Sequence, residues 1–106
     1  MQAMQDKPTP CIYLIRNLIS QNLYIGSTMN FEKVFNKHAA MLKFHSHYSS
    51  SMQKDWDTHG ENSFTIEMIK KIPENRDADF SLLTKLQNEA ISEYKSKGLS
   101  PEKLLQ

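Results

Sequence analysis

The chain has 106 residues, 39% hydrophobic and 24% charged, which suits one domain with one core and leaves no room for a second. Thirteen basic against twelve acidic residues give a net charge of +1. That excludes a protein that holds nucleic acid by overall field strength, because such affinity comes from neutralised phosphates. No apolar run approaches membrane-spanning length and the N-terminus lacks a basic and then hydrophobic leader, so an intracellular, cytoplasmic protein without a membrane partner is expected.

Residues 1–10, MQAMQDKPTP, carry two prolines and no periodicity and read as a flexible arm or an extended lead into the first strand. Residues 11–27, CIYLIRNLISQNLYIGS, read as a β-hairpin. Ile12 and Leu14 alternate with Cys11, Tyr13 and Ile15, and Leu23 and Ile25 alternate with Tyr24 and Gly26, the period of a pleated strand, with the turn over 17–22. Gly26 marks a close approach of backbone or ligand. Phe31, Val34, Phe35, Ala39 and Leu42 form one stripe of an amphipathic helix over 30–44, with Lys33, Lys37 and Lys43 off it. The polar loop 45–51, HSHYSSS, offers serines to cap a short helix over 52–58, which Gly60 ends. Residues 64–69 alternate as a third strand and Pro73 stops it. Capping residues over 75–79 precede the longest helix, 80–97, with Leu83, Leu86, Ala90 and Tyr94 along one face. Gly98 closes it, and Ser100-Pro101-Glu102 has the chemistry of a last helical turn.

This order gives an α+β fold, a small three-stranded antiparallel sheet flanked by helices. The expected organisation is a flexible arm over 1–10, one domain over 11–98 and a short tail over 99–106. A single cysteine, Cys11, closes no internal disulfide, and its strand position predicts a buried, inert thiol. His38, His45, His47 and His59 match no closed tetrahedral spacing, so no structural zinc site is expected. Trp56 is expected to anchor the short helix to the core.

Cys11-Ile12-Tyr13, ten residues, then Tyr24-Ile25-Gly26 resembles the paired signature of the GIY-YIG nuclease family, with cysteine at the first glycine. The likeness continues through GSTMNFEKVFNKH and QKDWDTHGENSF. It implies a nuclease-like fold with a site on one sheet face, where Tyr13, Tyr24 and His38 match the family's catalytic tyrosines and helix histidine, and His47 matches a loop histidine of some members. The same likeness sets the family's arginine position on Val34 and its glutamate position on Leu86. Each change puts an aliphatic group where a charge would stand. Losing one preorganised donor costs about two to three orders of magnitude in rate, so a double loss predicts little cleavage.

Two readings follow. In the first, a degenerate GIY-YIG domain acts as a binding module, inhibitor or adaptor of a nucleic-acid-handling protein complex. It uses Lys33, Lys37, His45, His47 and Gly26 toward a protein partner or DNA, and needs no cofactor. In the second, an active DNA endonuclease uses Tyr13, Tyr24 and His38, with Glu89 holding Mg²⁺ or Mn²⁺ and a lysine replacing the arginine. Lysine would serve it poorly, being a point charge rather than a planar fork. A plain interaction protein whose surface is unrelated to the groove is a third possibility.

Overall fold

The computed structural model describes residues 8–73 and 77–105. Most of the predicted arm, the start of the predicted capping run at 75–76 and the last residue of the tail lie outside the described residues. The hairpin forms as its alternation requires. Strands β1 (Cys11–Asn17) and β2 (Leu23–Thr28) pair antiparallel. Asn17 organises the turn: its Oδ1 accepts from the backbone N–H groups of Ile19 and Ser20 at 3.0 and 2.9 Å, an Asx-type closure. Gln21 takes the left-handed conformation there, at φ 67°. Strand β3 (Phe64–Lys71) pairs antiparallel with the other edge of β1.

The sheet departs from expectation at its far edge. Residues 102–103 form no helical turn. They make a short strand β4 (Glu102–Lys103) parallel to β2, so the sheet is mixed and four-stranded in the order β3-β1-β2-β4. The physical reason is burial beyond the strand: Leu104 is completely buried in the core and its N–H donates to the Ile25 carbonyl at 2.9 Å. A proline just before a strand also fits, since Pro101 needs no ladder donor. Residues 102–103 are therefore part of the sheet.

Three helices cover the sheet: α1 (Phe31–Lys43), α2 (Ser50–His59) and α3 (Phe80–Ser96). Ser49 caps α2, its Oγ accepting from Met52 N–H at 3.1 Å, and Asp79 caps α3 by accepting from Leu82 N–H at 2.8 Å, the chemistry expected of short polar side chains at a helix start. Gly60 ends α2 at φ 85°, where a side chain would be strained.

The pleat divides the core in two. Cys11, Tyr13, Ile15 and Tyr24 face Val34 and Leu42 of α1 and Met52 of α2, with Trp56 packed against them. Ile12, Leu14, Leu23 and Ile25 face Leu83 and Ile91 of α3. The extended lead is tied down at its end: Phe31 N–H donates to the Thr9 carbonyl and Ile72 N–H to that of Pro10.

Candidate active site

Both signature tyrosines stand on the sheet face that α1 and α2 cover, and both are 1% exposed. Tyr13 lies opposite Gly26 in the strand register, and its ring crosses the glycine so closely that a Cβ at position 26 would collide with its Cζ and Oη. Gly26 is thus a packing requirement of the Tyr13 phenol.

From Tyr13 a chain of short contacts runs outward. Its Oη lies 2.7 Å from Nε2 of His38 on α1, and Nδ1 of His38 lies 2.8 Å from Nε2 of His47. Ser49 N–H donates to Nδ1 of His47 at 3.0 Å. Tyr48 stacks on the His47 ring at 4.4 Å. Burial pushes the Tyr13 phenol up and the His38 imidazolium down to about 4, the neighbouring His47 and Lys37 adding to the latter. Burial lowers His47 as well, against the pull of Glu102 and of a backbone bond at Ser49.

Tyr24 is held otherwise. Its hydroxyl donates to Oδ2 of Asp55 on α2 at 2.6 Å, and the same oxygen accepts from Ser20 Oγ at 3.0 Å and Asn22 Nδ2 at 3.1 Å. Burial, and then the bond to Asp55, raise the Tyr24 phenol. Glu102 of β4 stands opposite Tyr24 in register and accepts from Ser51 Oγ.

The other candidate residues separate. Val34 is buried against the tyrosines, and lines with Tyr13, His38, Lys37 and Ser27 a cavity of about 320 Å³. Lys33 is exposed on α1 and does not line that cavity. The polar loop divides: His47 is buried in the relay, whereas His45 points outward, 3.3 Å from Asp57. Glu89 lies with Leu86, Ile69 and Lys70 along a groove on α3 and β3, on the far side of the sheet from both tyrosines. Leu86 packs into the α3-side core.

The α3 side chain that does reach β2 is the next one, Gln87. It is 1% exposed; its Nε2 donates to the carbonyls of Ile25 and Leu104, both at 2.9 Å, and its Oε1 accepts from Ser27 Oγ at 3.2 Å. Leu83, Gln87 and Ile91, at i, i+4 and i+8, are the buried line of α3, a spacing legible in the sequence had the polar member not interrupted the apolar stripe. Asp55 shares the line of Met52 and Trp56 in the same way, and the sequence pattern marks neither Gln87 nor Asp55 as a site residue.

A hard divalent ion prefers several anionic or carbonyl oxygens converging on one point. Among the described residues no group of three or more His, Cys, Asp or Glu side chains forms such a set. Gln87 is neutral, and Asp55 and Glu102 already accept from neighbouring hydroxyls. Cys11 is buried, its thiol pushed up to about 12 by burial, and so is unreactive.

The hairpin thus carries both phenols on one sheet face, and His38 of α1 meets that of Tyr13. The model of the GIY-YIG catalytic domain matches residues 9–100, and the chain belongs to that family. It is similar to Intron-associated endonuclease 1 of Enterobacteria phage T4, 33% identical over 86 residues that cover 81% of this chain and 33% of the relative; the chain thus spans about a third of that protein's length. Among solved structures, a mutant catalytic domain of intron endonuclease I-TevI superposes with a TM-score of 0.73 at 29% identity, covering 87% of this chain and 90% of that one. A second structure, the catalytic domain of homing endonuclease I-TevI, gives 0.72 at 28% identity over 92% and 99%.

Proposed function

We propose that this chain is a catalytically impaired GIY-YIG domain that binds rather than cuts, engaging a protein of a nucleic-acid-handling assembly. The observation that carries the reading is Val34, a buried aliphatic wall beside Tyr13 and His38 where the family likeness implies an arginine. On α3 the likeness sets the glutamate on Leu86, which packs into the core, and the neighbouring buried polar side chain is the neutral amide of Gln87, its hydrogens donated to two backbone carbonyls. Phosphodiester cleavage needs positive charge on the phosphoryl oxygens, and among the described residues Lys37 is the one charged side chain lining the Tyr13 cavity.

The mouth of that cavity favours a protein. Met29, Phe80 and Leu105 line it and are 41%, 67% and 63% exposed; clustered apolar groups of this size mark protein contacts more than phosphate contacts. A nicking assay on supercoiled plasmid with Mg²⁺ or Mn²⁺ tests the reading. The expected result is no cleavage above that of a Tyr13→Phe, His38→Ala control, and a duplex DNA affinity that collapses steeply as salt rises. Robust, control-sensitive cleavage would overturn it.

One observation favours the nuclease reading: the Tyr13–His38–His47 chain is intact and short. Glu89 does not serve that reading, being on the opposite sheet face. Cleavage unchanged in Glu89→Ala but lost in His38→Ala would support it in that amended form.

A further inference from the structure

We propose that the backbone N–H of Ser49 sets the direction of the whole Tyr13–His38–His47 chain, so that Tyr13 keeps its proton and offers it to the cavity. A backbone N–H can only donate, so Nδ1 of His47, 3.0 Å away, is a lone-pair acceptor. Neutral imidazole carries one hydrogen; that of His47 therefore sits on Nε2 and points at Nδ1 of His38, 2.8 Å away. His38 Nδ1 accepts, which leaves the His38 hydrogen on Nε2, donating to Tyr13 Oη at 2.7 Å. The phenol oxygen is the acceptor at the end of the line, and its own hydrogen is not consumed by His38.

The chain also resists a second proton. A proton added to His38 would sit on Nδ1, against the Nε2 hydrogen of His47. One added to His47 would sit on Nδ1, against the Ser49 N–H. Burial disfavours both imidazoliums in the same sense, and at His47 the Glu102 carboxylate and the Ser49 backbone pull the other way. The polar groups that face the pair are Tyr13 from β1, Lys37 from α1, Tyr48 stacked on His47 and Glu102 from β4. None of them supplies a donor that reverses the order set by Ser49.

The consequence concerns what the cavity takes. Tyr13 lines it with Ser27, Thr28 and Lys37, and in this arrangement it is a hydrogen-bond donor to an acceptor atom of a ligand, not a base that removes a proton from one. Ser49 and His47 are positioning residues. The inference is separate from the proposal that cleavage is lost, because it specifies which atom carries a hydrogen in the free protein.

Long-range ¹H–¹⁵N spectra of the histidine rings at neutral pH, on uniformly labelled protein without nucleic acid, read it directly. The expected wild-type result is a single Nε2–H tautomer for both His38 and His47. Ser49→Ala removes the capping hydroxyl and keeps the N–H, and should leave the tautomers unchanged; Ser49→Pro removes the N–H and should shift His47 to a tautomer mixture. An Nδ1–H form of either ring in the wild type, or a single unchanged tautomer in a folded Ser49→Pro, overturns the proposal. Should Ser49→Pro fail to fold, the wild-type and Ser49→Ala spectra decide it alone. These results come out the same whether or not the plasmid is cut, so the two proposals fail independently.

Discussion

The phenol of Tyr13 meets imidazole rings from α1 and the loop after it, whereas that of Tyr24 gives its hydrogen to a buried carboxylate that also gathers Ser20 and Asn22. The two tyrosines come from one hairpin, share one sheet face and are equally buried. Their surroundings assign them different work. Tyr24 ties the hairpin turn to α2 through Asp55, so its hydroxyl is structural in the free protein. Tyr13 ends a neutral relay and lines an open cavity. A pair of residues that a motif treats as equivalent is divided by what packs above each one.

Acid should break the Tyr13 side first. His38 is pushed down to about 4 from an ordinary value of 6.5, so between these values the unfolded chain binds a proton that the folded chain refuses. The contribution is fully present above pH 6.5 and is lost as pH falls through that window, on the order of 3 kcal/mol in all. Urea titrations at pH 7 and pH 4 measure it, and His38→Gln should remove most of the slope. An unchanged slope in that variant would place the titrating group elsewhere.

Removing the Tyr24 hydroxyl attacks the other side. Tyr24→Phe takes a charge-assisted hydrogen bond from Asp55 but leaves Ser20 and Asn22 in place, so a loss of about 2 kcal/mol is expected. If the bond also links turn to helix, hydrogen exchange at residues 19–22 should quicken in this variant more than in Tyr13→Phe.

How much of this was open to reading from the chain depends on where the partner lies. The hairpin and the helix stripe were legible because strand alternation and i, i+3, i+4 spacing are local patterns, and Gly26 stood out as a strand glycine. Tyr13, His38 and His47 could be drawn together only through the family likeness. Asp55 and Gln87 were not legible: a carboxylate in the polar run KDWDTHG and an amide beside Glu89 look solvated until Tyr24 and the Ile25 carbonyl, 31 and 62 positions away, are seen to meet them. Strand β4 was hidden for the same reason, since two residues carry no period and only the burial of Leu104 reveals the pairing.

Gly26 sharpens the contrast because it serves one tyrosine only. Gly26→Ala drives a methyl group into the Tyr13 ring, and overpacking of this kind costs about 1–3 kcal/mol. Part of the collision is with Oη, so a double variant with Tyr13→Phe should be less destabilised than the sum of the two singles, while pairing Gly26→Ala with Tyr24→Phe should be additive. Thermal melts of the six proteins in these two cycles give the coupling.

The smallest effect should come from Tyr13→Phe alone. The bond lost is neutral to neutral, worth about 1 kcal/mol, and the Nε2 hydrogen it leaves on His38 borders the cavity, where water can take the place of the phenol oxygen. The Tyr24 variant has no such relief, because its acceptor is a charge that stays buried. The ordering of the two single variants is therefore the decisive comparison: Tyr24→Phe should melt at the lower temperature. A reversal would mean that the imidazole relay, not the Asp55 hub, holds the helices to the sheet.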